Sequence, residues 1–279
     1  MQHFYSIAKN YEAVFLDSYG VLKNHKGLIE GVPETINYLR TEGIKLRVLT
    51  NDASKSPSQQ IEAFSKLGLT NLKEEEIITS AMLARQFLEY KIQEGKVAYL
   101  GTESSAEYIL HSNIEKIPVR EVDLDDAEDI TAFVFLDDEG FDWNYDINKT
   151  VNLLRRRNVP AIVANTDKFY PVSKNDVAVA TGGIAKLVQN MLSKKFIQFG
   201  KPDSQMFMHA YEHLLEEGPI NRSDILMVGD TLHTDILGGN KFGVKTLLVF
   251  SGNTRKENAE LQISSTGIIP DYICSSIVE

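Results

Sequence analysis

The sequence has a single cysteine, Cys274, among 279 residues. It therefore has no intrachain disulfide to staple its fold, which fits a reducing compartment such as the cytoplasm. Long apolar runs are also missing. Ala132 to Leu136 and Thr246 to Phe250 are among the longest, far short of the ~20 residues that cross a bilayer. Met1 to Ala13 contains no apolar core of signal-peptide length, so no export signal is expected. There is no basic excess: 29 Lys and Arg stand against 39 Asp and Glu, a formal charge of -10 and a pI near 5.2. That balance argues against a nucleic-acid surface and against polybasic membrane attachment. Repeats, low-complexity tracts and Gly/Ser-rich or Pro-rich linkers are absent. No G-x-G-x-x-G follows an expected strand, and no H-E-x-x-H occurs.

What is present is an ordinary soluble composition, 43% hydrophobic and 24% charged, in a chain longer than one lean domain needs. Short runs rich in Val, Leu and Ile alternate with segments of helical period, the pattern of strands covered on both faces by helices. The fold class is α/β. Strands are expected at Ala13–Leu16, Leu46–Leu49, Val97–Leu100, Thr131–Leu136, Ala161–Ala164, Val177–Ala180, Phe196–Phe199, Ile225–Val228 and Thr246–Phe250. Helices are expected near Pro33–Glu42, closed by Gly43, and through Ile61, Phe64 and Leu67, closed by Gly68. A further strand-helix pair is expected from Ile77 to Glu94. The middle of the chain has strands and helices of its own, as an inserted domain would.

Four short motifs follow apolar strands. Leu16-Asp17-Ser18-Tyr19-Gly20 places a carboxylate where a strand enters a tight turn, a place where Asp is commonly just a turn residue. Thr50-Asn51-Asp52 ends the next strand, where a helix N-cap is the plain alternative. Gly200-Lys201-Pro202 means little by itself. Gly229-Asp230-Thr231-Leu232-His233-Thr234-Asp235 carries two carboxylates, with a cap plus a first-turn acid as its alternative. Open parallel sheets gather their ligands at the carboxyl ends of strands. If these ends converge, they assemble a nucleophilic carboxylate, a hydroxyl and an amide for phosphoryl oxygens, a lysine, and acids for a divalent cation.

In this order the motifs resemble those of the haloacid dehalogenase (HAD) superfamily. The segments Gly200–Phe207, Gly229–Ile236 and Ala164-Asn165-Thr166-Asp167 resemble its class IIA branch, the NagD-like and pyridoxal-phosphate-phosphatase-like phosphatases. The resemblance spans nearly the whole chain. It implies a Rossmann-like core of residues 1–95 and 195–279, interrupted by an α/β cap of the C2 type at 96–194. It implies a phosphatase acting on small-molecule phosphate esters through an aspartyl phosphate on Asp17. Thr50 and Asn51 would hold the phosphoryl group and Lys201 would offset its charge. Mg²⁺ would be bound by Asp17, the carbonyl of Tyr19, Asp230 and Asp235. Asn165, Thr166 and Asp167 would face the substrate, with Lys168 and Tyr170 near its leaving group. Caps of this branch also imply a homodimer.

The chain departs from the family at Tyr19, where the phosphatases carry the aspartate that protonates the leaving oxygen and then activates water. A phenol with an ordinary pKa of about 10 is a poor base at neutral pH. Three readings follow: a phosphatase with weak acid/base help, a non-hydrolytic binder of phosphorylated ligands, or a 2-haloacid dehalogenase, whose first motif Asp-x-Tyr-Gly also resembles. The metal-type acids at Asp230 and Asp235 oppose the last. Among other features, Ala180–Lys186 reads as a Gly-mediated turn rather than a nucleotide loop. His233 reads as an exposed helix-start residue, and His209 and His213 as surface histidines.

Overall fold

The computed structural model describes residues 3–110, 114–173 and 176–278. In chain order its strands are β1 (Ala13–Asp17), β2 (Lys23–Asn24), β3 (Gly27–Leu28), β4 (Lys45–Thr50), β5 (Ile77–Thr79), β6 (Lys96–Leu100), β7 (Glu115–Pro118) and β8 (Ile130–Phe135). There follow β9 (Ala161–Val163), β10 (Phe169–Pro171), β11 (Val177–Val179), β12 (Ile197–Gln198), β13 (Ile225–Gly229), β14 (Lys245–Val249) and β15 (Tyr272–Cys274). Two parallel sheets carry the fold. The larger has the order β15-β14-β13-β1-β4-β5, the smaller β12-β9-β8-β6-β7.

The apolar runs become central strands because both of their faces are covered. Val14 and Leu16 pack with Ile36, Leu39 and Phe64 on one side of the larger sheet. Ala13 and Phe15 pack on the other side, with Phe207 and Ala210 of the helix Ser204–Leu215. This second layer runs on without a break into the smaller sheet, through Leu88 of the helix Ser80–Lys91 to Val97, Val134 and Ile162. The opposite face of the smaller sheet, including Phe133, Phe135 and Val163, is covered by Leu153 and Leu154 and by Ile184 and Val188 of the helix Thr181–Leu192. Among the described residues, no helix is long and apolar enough to cross a membrane.

Three expectations need correction. The smaller sheet does not end at 194: its edge strand is β12, paired in parallel with β9 through Ile197↔Ile162 and Gln198↔Val163. The polar stretch Ser193–Lys195 marks only a helix end, with Ser193 at φ 51, so it is not a boundary between units. His209 is not a surface histidine. It is half-buried against His213, ring centroids 4.5 Å apart, with an Nε2 that has no partner among the described residues, and burial lowers its pKa. His233 is exposed. Ala180–Lys186 forms the start of a helix, and its glycines let that helix sit on the loop after β9. A Cβ on Gly182 would lie 2.4 Å from the Thr166 carbonyl carbon.

Candidate active site

The carboxyl ends of the two sheets meet, and every motif lies at that meeting. Asp17 is the last residue of β1; Asp230 directly follows β13. The chain then makes one wide π turn, Leu232–Ile236, before the helix Leu237–Phe242. The turn brings Asp235 back beneath the strand end, where its Oδ2 accepts the Thr231 N–H at 3.0 Å. Ligand oxygens of Asp17, Asp230 and Asp235 all lie within 4.8 Å of one another. The glycines are required by this crowding. Gly20 has φ +84, and a Cβ there would stand 2.2 Å from Asp230 Oδ2; one on Gly252 would stand 1.8 Å from the same atom.

Lys201, only 2% exposed, reaches the cluster from the end of β12. Its Nζ lies 2.5 Å from Asp17 Oδ1 and 2.8 Å from Asp235 Oδ1. Burial opposes its charge, yet Asp17 and Asp235 hold the ammonium above its ordinary pKa. Burial holds Asp17 well above the usual carboxylate range; Lys201 pulls it down, while Asp235 and Asp230 push it up. Asp230 is pushed up to about 7 by burial and by Asp235. Three carboxylates around one ammonium are short of positive charge, and a divalent cation is the natural remedy. The donors are hard oxygens, as Mg²⁺ prefers. The Tyr19 carbonyl takes no hydrogen bond among the described residues. These residues fit such an ion.

Asp17 Oδ1 accepts the Ser18 N–H at 2.7 Å as well as Lys201, so the carboxylate is oriented by two donors on one oxygen. Thr50 Oγ1 accepts the Asp52 N–H at 3.1 Å and keeps its own hydrogen for another acceptor. Asn51 is 2% exposed, and its amide is already engaged with Lys201 and with the loop after β9. Asn165 turns that loop by accepting the Asp167 N–H at 2.9 Å. Thr166 and Asp167 both meet Asn51. Burial raises the Asp167 pKa, offset by Lys201 and Asn51. Lys168 is exposed at the rim, and the Tyr170 hydroxyl donates to Asp138 Oδ2 at 2.9 Å. Asp52 is not a helix cap: it accepts from Ser54 and Gln60, and Ser56 caps the following helix with Gln59.

Tyr19 points across to the smaller unit, where its hydroxyl donates to the Pro171 carbonyl at 2.8 Å. Burial, together with Asp230, raises its pKa, so the proton is held more tightly than in a free phenol.

Sequence reasoning overlooked the loop after β14. The Asn253 N–H donates to Asp230 Oδ2, Asn253 Nδ2 donates to Thr231 Oγ1 at 3.0 Å, and Ser251 Oγ donates to the Gly20 carbonyl. The signal was available, because Ser251-Gly252-Asn253 also follows an apolar strand. It was passed over for want of an ionisable side chain. Lys23 was overlooked as well. Burial lowers its pKa while Asp52 raises it, and its ammonium lies 5.4 Å from the Phe64 ring centre.

A parallel α/β core with a nucleophile-type aspartate, a buried lysine and a paired acid site at its strand ends defines a class of hydrolase. A family model described as haloacid dehalogenase-like hydrolase matches residues 14–115, and a second HAD-like hydrolase model matches 198–279. A protein named "possible sugar phosphatase, HAD superfamily" from Cytophaga hutchinsonii superposes with TM-score 0.96 at 50% identity, covering 100% of this chain and 98% of that one. Phosphoglycolate phosphatase 1A, chloroplastic, of Arabidopsis thaliana is 31% identical over 95% of this chain and 75% of its own length. Mouse chronophin is 26% identical over 96% and 91%. NagD from E. coli K-12 shares the fold, with TM-score 0.73 at 22% identity over 97% and 98%. The chain belongs to the haloacid dehalogenase-like hydrolases, and it is a phosphatase.

Proposed function

We propose that the enzyme is a Mg²⁺-dependent phosphatase of small phosphorylated metabolites, working through an aspartyl phosphate on Asp17. The observation that carries this reading is the Asp17–Lys201–Asp235 arrangement beside Asp230, gathered at the carboxyl ends of β1 and β13. Asp17 Oδ2 has no protein partner among the described residues and is the oxygen available to attack phosphorus. The P–O bond to the leaving group breaks as the Asp17 O–P bond forms, and water then hydrolyses the acyl phosphate and restores the carboxylate. Lys201 and the Thr50 hydroxyl would meet the charge on the transferring phosphoryl oxygens. Asp17, the Tyr19 carbonyl, Asp230 and Asp235 would hold Mg²⁺, which when bound would supply electrostatic stabilisation of that charge. Positioning and electrostatics are most of what phosphoryl transfer needs.

Tyr19 is the weak point of this machinery. Its hydroxyl is committed to Pro171, so proton transfer to the leaving oxygen falls to solvent or substrate. Substrates with good leaving groups, aryl and acyl phosphates, are therefore expected to turn over faster than sugar phosphates. The test is hydrolysis of a phosphate-ester panel with and without Mg²⁺ by wild type and Asp17→Asn. Mg²⁺-dependent turnover lost in Asp17→Asn is expected; ligand binding without turnover across the panel would refute the reading.

We also propose that two copies pair through the cap. In the hairpin β10–β11, Phe169 faces Val179 and Pro171 faces Val177, so these residues share one side of a two-stranded ribbon. Phe169, Val177 and Val179 are about half exposed, at 50%, 58% and 48%.

A further inference from the structure

Asn51 was expected to offer its amide to the substrate, yet each of its polar atoms is already in use. Its Oδ1 accepts the Lys201 N–H at 2.8 Å, and its Nδ2 donates to the Lys201 carbonyl at 3.1 Å. One side chain thus grips both main-chain groups of Lys201. The same Nδ2 serves Thr166 Oγ1 at 3.0 Å and Asp167 Oδ1 at 2.9 Å, both in the loop after β9. Thr166 closes the ring by donating its hydroxyl to the Lys201 carbonyl at 2.6 Å. Asn51 is itself held from behind, where its carbonyl accepts Ser80 Oγ at 2.9 Å. Gly200, at φ +109, makes room for the grip, since a Cβ there would lie 2.5 Å from Asn51 Oδ1.

We infer that Asn51 and Thr166 are positioning residues that couple docking of the cap loop to the placement of Lys201, and that the Asn51 side chain is not a phosphoryl ligand. The physical argument is one of satisfaction. With the loop docked, the buried Lys201 carbonyl receives the Thr166 hydroxyl and the Asn51 amide together. With the loop withdrawn, it loses the shorter of the two bonds, and the Asn51 amide loses two acceptors. The carbonyl then keeps one donor of two and one Asn51 amide hydrogen is left without an acceptor, so the Lys201 backbone is held less firmly and its ammonium is less well fixed at the Asp17–Asp235 pair. Closure over a substrate and assembly of the catalytic lysine then become one event, which limits catalysis in the open enzyme.

This inference rests on the phosphatase reading for its kinetic consequences but not for its structural ones, and the experiment separates the two. Thr166→Val keeps the shape of the side chain and removes the hydroxyl; Thr166→Ser keeps the hydroxyl and removes a methyl. Turnover of p-nitrophenyl phosphate is measured for both, for Asn51→Ala and for the Asn51→Ala/Thr166→Val double variant. Hydrogen exchange of the 197–203 segment is measured alongside, since it does not depend on turnover. Thr166→Val is expected to lower kcat about tenfold or more, with Thr166→Ser within about threefold of wild type. The double variant should be slower than either single variant, because it leaves the Lys201 carbonyl with neither donor, and exchange at the Lys201 amide should quicken in Thr166→Val. A packing role would reverse the order of the two Thr166 variants, and a double variant no slower than Asn51→Ala would show that the Thr166 hydroxyl does not support the Lys201 carbonyl; either result overturns the inference. If wild type hydrolyses nothing, the phosphatase reading fails, and exchange alone decides: unchanged protection in Thr166→Val overturns the inference, and faster exchange supports it.

Discussion

Tyr19 separates what a side chain is from what its position does. Its backbone carbonyl is available to a cation, while its hydroxyl leaves the chemistry to the core and bonds the cap at Pro171. Tyr19→Asp is expected to raise kcat on alkyl phosphates at least tenfold, because a positioned acid/base group is worth ~10²- to 10⁴-fold; steady-state kinetics on a sugar phosphate checks it. Asp230 carries a pH signature. Its folded pKa, about 7, lies above the ordinary carboxylate value, so the metal-free native state binds a proton more tightly than the unfolded chain. Stability from this site is therefore lost as pH rises from about 4 to about 7. In EDTA, Asp230→Asn should gain on wild type between pH 5 and pH 8, by an amount on the order of a few kcal/mol. Urea melts at the two pH values measure it, and added Mg²⁺ should reverse the ranking at pH 8 by stabilising wild type.

At the level of elements, the strand ends were readable because buried parallel strands are uniformly apolar and any polar residue that ends one stands out. Asp17, Thr50 and Asp230 were found that way. The rule reaches less far where no charge marks the end, as at Ser251–Asn253. It also fails where a segment changes its allegiance. Phe196–Phe199 reads as a strand by composition, but its partner is decided by pairing with β9, which no local pattern contains. The π turn at Leu232–Ile236 was equally hidden, since its sequence suits an ordinary helix start. The glycines of the helix Thr181–Leu192 were read as a turn, whereas their role is close approach to the Thr166 backbone. Gly182→Ala should therefore displace the loop that carries Asn165–Asp167 and slow turnover, with a stability loss of about 1–3 kcal/mol for the overpacked site. Kinetics and thermal melts on the same preparation check both effects.

For the whole molecule, composition and alternation specified the α/β class, and the motif order pointed to a core interrupted by a cap. The extent of the cap was less visible, because the chain crosses between units without any change in composition. The apolar layer that runs from Phe207 through Leu88 to Val134 binds the two sheets together behind the site. The half-exposed hairpin face leads to a measurable expectation: light scattering should give the mass of a pair, and Val177→Lys together with Val179→Lys should give the monomer with the fold intact by circular dichroism.

The placement of β12 matters for anyone who would recombine such enzymes. A chimera that exchanges residues 96–194 alone would splice between β9 and its parallel neighbour, asking a foreign edge to accept Ile197 and Gln198. Two residues beyond that edge stands Gly200, then the lysine itself. The transferable module therefore runs at least through β12, and a cap exchanged at 194 would leave its own edge strand behind.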